Sequence, residues 1–134
     1  MKANKMCAIL GNEHEYSGLM PLTENRPLST LYFDCKYRIM DFAISSAANA
    51  NIRTVYIILN EGRVKSVFDH LGGGREWGLD SIGSYQYLSF YQDILRKKAE
   101  GKDYYCNIID FLSKSKSAYT VFIGNKMLCN IDLR

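Results

Sequence analysis

Met6-Cys7-Ala8-Ile9-Leu10 is an apolar run that gives way at once to a polar loop, Gly11-Asn12-Glu13-His14-Glu15-Tyr16-Ser17-Gly18. A short apolar run bounded by turn formers reads as a buried strand. A second run, Thr54-Val55-Tyr56-Ile57-Ile58-Leu59, is rich in β-branched residues and apolar on both faces, which suits a central parallel strand. Between them, Tyr37 to Asn49 carries Tyr37, Met40, Ile44 and Ala47 at helical spacing. Asn49-Ala50-Asn51 ends that helix, because Asn tolerates the left-handed conformation just past a helix. Strand, loop, helix, strand makes one βαβ unit and predicts an α/β fold, a mostly parallel sheet with helices on both faces. The loop after Leu10 lies beyond the carboxyl end of a strand, where such sheets place their ligands.

Outward from this unit, Pro21 and Pro27 interrupt regular structure. Val64 to Leu71 reads as a second helix stopped by Gly72-Gly73-Gly74, and Arg75 to Ser84 as an ordered loop. Tyr85 to Phe90 fits a short strand and Tyr91 to Glu100 a helix. Asp103 is a candidate N-cap for a helix through Ile108, Ile109 and Leu112, and Tyr119-Thr120-Val121-Phe122-Ile123 is a further strand of buried type. No covering helix follows it, so the chain has the pattern of the opening portion of a larger domain, 1–134, with a complete small α/β domain as the alternative.

Composition narrows the class. Apolar residues make up 47% of 134 and charged residues 23%, the balance of a globular domain and not of a disordered segment. No apolar run approaches the roughly 20 residues that span a bilayer, and no signal sequence is evident, so a cytoplasmic protein without membrane association is expected. The net charge of +3 is small, and acidic residues are interspersed among Arg96, Lys97, Lys98, Lys102, Lys114 and Lys116. That pattern fits a solvated face and no nucleic-acid partner. Cys7, Cys35, Cys106 and Cys129 lack metal-ligand spacing and imply no disulfide framework; Cys7 reads as a buried thiol.

Four stretches together resemble the sugar-nucleotide pyrophosphorylases, and within them glucose-1-phosphate adenylyltransferase (ADP-glucose pyrophosphorylase). Pro21-Leu22-Thr23 with Arg26 is similar to the family's PLTxxR, and Lys36-Tyr37-Arg38-Ile39-Met40-Asp41-Phe42 to KYRIIDF. Asn49-Ala50-Asn51-Ile52-Arg53 resembles NSGIR with Asn51 in place of Gly, and Ser66 to Leu71 with His70 resembles SLxxHI. The resemblance implies a Rossmann-like sheet of the nucleotide-diphospho-sugar transferase type, truncated at its C-terminus. It also implies a reaction in which a sugar 1-phosphate attacks the α-phosphorus of a nucleoside triphosphate. Such catalysis needs a glycine-rich phosphate loop, basic residues beside it and an Asp for Mg²⁺.

The chain departs from the family at all three. The GGxGTRL loop is replaced by Gly11-Asn12-Glu13-His14-Glu15-Tyr16-Ser17-Gly18-Leu19, one residue longer, with Gly18 at the position of the loop Arg. Glu13 and Glu15 would face a polyanion, and each like-charge contact near ~4 Å costs about 1 kcal/mol even in bulk water. Leu28 stands where the family carries the Lys of a KP dipeptide, and Gly124-Asn125-Lys126 stands for GDH, so Asn125 occupies the metal-ligand position. The pattern resembles the D-type regulatory subunit of bacterial glycogen biosynthesis. That likeness implies a non-catalytic or weakly catalytic subunit in a hetero-oligomer with a catalytic adenylyltransferase subunit, with no cofactor of its own, Mg²⁺ entering only if it turns over. Arg26 and Arg38 match family positions that bind sugar-phosphate or nucleotide effectors, and Asn25 stands where some relatives have Lys.

Plainer readings stand beside these. Arg26 and Arg38 could pair with Glu24 and Asp34 on the surface. His14 reads as solvated, and His70 as a helix-terminal His suited to the dipole. Gly72-Gly73-Gly74 follows a helix and not a strand, which favours a connection over a phosphate cradle. The tyrosines from Tyr85 to Tyr119 read as core and subunit-contact residues. Two other functions remain open: an active ADP-glucose-forming transferase with a divergent loop, and an unrelated doubly wound nucleotide-binding module. The unrelated module requires that strand one, strand two and Tyr119–Ile123 do not lie side by side in one parallel sheet.

Overall fold

A computed structural model describes residues 6–11, 17–59, 65–72, 85–124 and 128, with the backbone alone at 85–88 and 91. The strands are β1 (Met6–Gly11), β2 (Tyr32–Phe33), β3 (Tyr37–Arg38), β4 (Thr54–Leu59), β5 (Tyr85–Phe90) and β6 (Tyr119–Gly124). The helices are α1 (Ile39–Asn49), α2 (Lys65–Leu71), α3 (Tyr91–Ala99) and α4 (Cys106–Ser115). Single 3₁₀ turns occupy Ser17–Leu19 and Leu28–Thr30.

β5, β4, β1 and β6 form one sheet in that order, and every pair is parallel. Ala8 partners Val55 on one side of β1 and Val121 on the other, while Gly11 partners Gly124 at the carboxyl end. Strands alternate their side chains between faces, and each face has its own core. On one face Ala8, Leu10, Val55, Ile57 and Leu59 pack with Met40, Ala43, Ile44 and Ala47 of α1 and Val67 and Leu71 of α2. On the other, Cys7, Ile9, Tyr56 and Ile58 pack with Phe111 of α4, joined by Ile94 of α3 and Ile108. The two-sided burial explains why β1 and β4 read as unbroken apolar runs. Among the described residues no helix is long and apolar enough to cross a membrane.

Four local expectations change. The first helix begins at Ile39, not Tyr37: Tyr37 and Arg38 belong to β3, paired antiparallel with β2, and Tyr37 is 45% exposed. The turn between them holds Asp34 and Cys35 at φ 54 and 58, and the Asp41 carboxylate accepts the Arg38 backbone N–H at 2.8 Å, which fixes the helix start. Asp103 does not cap α4; its carboxylate accepts the Tyr105 N–H at 3.0 Å in the turn before the helix. Of the α4 apolar residues, Phe111 is buried at 1% while Ile109 is 52% exposed and Leu112 is exposed too. β6 is not a buried-type strand: it pairs with β1 alone among the described residues, and Phe122 and Tyr119 are exposed. Tyr105 and Tyr119 are exposed, so for these two the core part of the core and subunit-contact reading does not hold.

Asn51 does take the left-handed conformation, at φ 58, and its side-chain oxygen accepts the Arg53 Nε–H at 2.7 Å. A Cβ-bearing residue without a compensating polar side chain pays about 1 kcal/mol there. Asn51→Ala is expected to lower stability by about that amount in urea unfolding, and Asn51→Gly by only a few tenths.

Candidate effector site and the altered nucleotide loop

The segment from Pro21 to Arg38 has no long helix or strand, yet its backbone is well tied down. Leu28, Ser29 and Thr30 are buried, and the Thr30 hydroxyl donates to the Pro27 carbonyl at 3.0 Å. Thr23 is buried as well, its hydroxyl donating to the Met20 sulfur at 3.5 Å. This packed ribbon carries the side chains that meet at Tyr32.

Arg38 lies over the Tyr32 ring, 4.3 Å from its centroid, and donates from Nη2 to the Tyr32 hydroxyl at 3.0 Å. From Nη1 it donates to the Thr30 carbonyl at 2.6 Å. Arg26 approaches the same ring, 6.0 Å from the centroid. Both guanidiniums therefore converge on one aromatic ring. Neither is paired with Glu24 or Asp34 among the described residues, so the surface ion-pair reading gives way. Beside them Pro21, Leu22, Asn25, Arg26, Leu31 and Tyr32 line an open pocket of about 420 Å³. Arg26 contributes to the wall directly. Arg38 acts one step back, bracing Tyr32. An open cleft with an aromatic wall, a planar forked cation and an amide can grip a phosphoryl group and a flat or apolar remainder.

Sequence reasoning singled out Arg26 and Arg38 but missed Tyr32 and the Thr30 carbonyl. The missing signal was the β2–β3 pairing, in which Tyr32 stands opposite Arg38. It also missed the partner of His70, whose Nε2 lies 2.5 Å from Asp41 Oδ1.

The strands that lead into the altered nucleotide motifs end side by side. Gly11 ends β1 and Gly124 ends β6, side by side in register. Asn12, Glu13, His14, Glu15 and Asn125, which follow these strand ends in sequence, lie outside the described residues. Gly73 and Gly74 lie outside them too. Gly18 sits in an exposed 3₁₀ turn, where a Cβ would meet nothing within 4 Å. Space does not demand glycine there, so a basic side chain would fit. Leu28 is 5% exposed, so its uncharged side chain is part of the packed interior. The last-third cations are partly neutralised: Arg96 pairs with Asp93, and Lys102 with Glu100 at 2.6 Å.

The profile of the nucleotidyl transferase family matches residues 17–134. The chain belongs to this family. Among its relatives, the glycogen biosynthesis protein GlgD of Geobacillus stearothermophilus is 29% identical over 132 residues, covering 96% of this chain and 38% of the relative. GlgD of Bacillus subtilis (strain 168) is 29% identical over 137 residues, covering 98% and 38%. The chain thus spans well under half the length of these relatives. A crystal structure described as a glucose-1-phosphate thymidylyltransferase from Bacillus anthracis, in complex with sucrose, superposes with a TM-score of 0.55 at 21% identity, over 63% of this chain and 32% of that one. That likeness speaks for the fold alone. With β4, β1 and β6 adjacent in one parallel sheet, the chain is a nucleotidyl transferase family member and not an unrelated doubly wound module.

Proposed function

We propose that this GlgD-like nucleotidyl transferase chain serves glycogen biosynthesis as a regulatory subunit. In this reading it binds a phosphorylated sugar or nucleotide effector and modulates a catalytic glucose-1-phosphate adenylyltransferase partner in a hetero-oligomer. The observation that carries the proposal is the convergence of Arg26 and Arg38 on Tyr32 at the edge of an open pocket. A guanidinium that lines a cleft and is not neutralised by Glu24 beside it is suited to an anionic ligand. The departures from the family motifs argue in the same direction. Glu13 and Glu15 oppose a triphosphate, Leu28 adds no cation, and Asn125 offers a neutral oxygen where a carboxylate would hold Mg²⁺. Positioning and charge neutralisation supply nearly all of phosphoryl-transfer catalysis, so losing these charges removes most of the rate.

The test has two arms. Calorimetry with ATP and Mg²⁺ is expected to give no binding at millimolar ATP. Assays of ADP-glucose formation from ATP and glucose 1-phosphate are expected to give no product with this protein alone, and a changed effector response when it is mixed with a catalytic subunit. Micromolar ATP·Mg²⁺ binding with turnover by the protein alone would establish the active transferase instead.

A further inference from the structure

We infer that His70 is a positioning residue for the Arg26–Tyr32 pocket, and that through it the pocket and α2 respond to one another. This rests on the reading of that pocket as an anion-binding effector site. The two are joined by a closed ring of polar contacts. Asp41 uses both carboxylate oxygens: Oδ2 accepts the Arg38 backbone N–H at 2.8 Å, and Oδ1 lies 2.5 Å from His70 Nε2. These side chains are mostly buried, 14% and 17% exposed. At the other end of Arg38, Nη1 donates to the Thr30 carbonyl at 2.6 Å. The Thr30 hydroxyl in turn lies 3.1 Å from Ser66 Oγ. Ser66 and His70 are both on α2, four residues apart, and so on one face of it. The ring runs from α2 through Thr30, Arg38 and Asp41 back to α2.

The ring includes the residue that braces Tyr32, so the pocket cannot tighten without its supports. The described part of α2 is seven residues long, a length too short to be stable as an isolated helix. Its order comes from tertiary anchors: Val67 and Leu71 in the core, Ser66 and His70 on the ring. An anionic ligand that fixes Arg26, Tyr32 and Arg38 therefore steadies α2. By linkage, a steady α2 raises affinity for the ligand by the same factor. Buried polar networks of this kind are worth most when every member is satisfied.

The experiment follows amide hydrogen exchange of residues 66–71 and the His70 imidazole NMR signals, in the presence and absence of AMP and of fructose 1,6-bisphosphate. In the native protein either ligand is expected to slow exchange in α2 and shift the His70 resonances. His70→Ala is expected to weaken binding roughly 5–10-fold and to abolish the ligand-dependent slowing. His70→Gln, which keeps a donor for Asp41, restores most of both. A role confined to packing would raise basal exchange in His70→Ala but leave the ligand-dependent slowing intact, which would overturn the proposal. A ligand-free cycle of Arg38→Met with His70→Ala decides it independently. Effects on α2 exchange that fail to add support the ring, and additive effects sink it. If the native protein binds neither probe, the effector reading falls, and the ligand-free cycle still settles whether Arg38 and His70 are coupled.

Discussion

Arg26→Met is expected to abolish most of the proposed phosphate-ester binding and to leave the fold intact. The guanidinium lines the pocket and makes only a long approach to Tyr32, 6.0 Å from the ring centroid, so little of the structure depends on it. Met keeps the length and the apolar stem and removes the charge. A charge-assisted hydrogen bond to a phosphoryl oxygen is worth about 1.5–3 kcal/mol, so affinity for AMP or fructose 1,6-bisphosphate should fall roughly 10–150-fold in titration calorimetry. The unfolding midpoint should stay where it was. Arg26→Lys is expected to recover only part of the loss, because a point charge replaces a fork. Equal binding by the Met variant would remove the pocket from the effector reading.

Phe111→Ala is expected to have the largest effect on stability. Phe111 is 1% exposed, its ring centroid 4.9 Å from that of Tyr56, and it is the one α4 side chain among the described residues that is fully buried against the sheet. Ile108 adds a partly buried contact, while Ile109 and Leu112 face solvent. Removing a buried phenyl ring costs about 3–5 kcal/mol through lost transfer energy and the cavity left behind. A domain stable by only about 5–15 kcal/mol loses a large share of its margin. Chemical denaturation should show this drop, and amide exchange should show α4 losing protection before β1 and β4. A loss below about 1 kcal/mol would mean that the site collapses around the missing ring.

The parts of the molecule legible in the sequence are those where burial is two-sided and local. β1 and β4 are apolar throughout because α1 and α2 cover one face and α3 and α4 the other, so each could be read alone. Asn51 was legible as a helix stop because one residue's backbone preference decides it. The misjudged elements depend on what they pair with rather than on their own composition. Tyr37 fits a helical spacing, but pairing with Phe33 across a turn with two left-handed residues draws it into β3. β6 has the composition of a buried strand, but among the described residues it pairs with β1 alone, and Tyr119 and Phe122 are exposed. Arg26 and Arg38 could be named from the motifs, whereas Tyr32 at their meeting point required the hairpin. The Asp41–His70 contact spans 29 residues and two helices; each residue lies in a motif, but nothing in either motif says that the two meet.

The order of strands also sets a schedule for synthesis. β1 lies between β4 and β6, and Met6 is matched to Tyr119, 113 residues downstream. On the ribosome the β1–α1–β4 unit can zip together once Leu59 has emerged. The other flank of β1 stays bare until Gly124 is made, so β1 holds one neighbour long before it can gain the second.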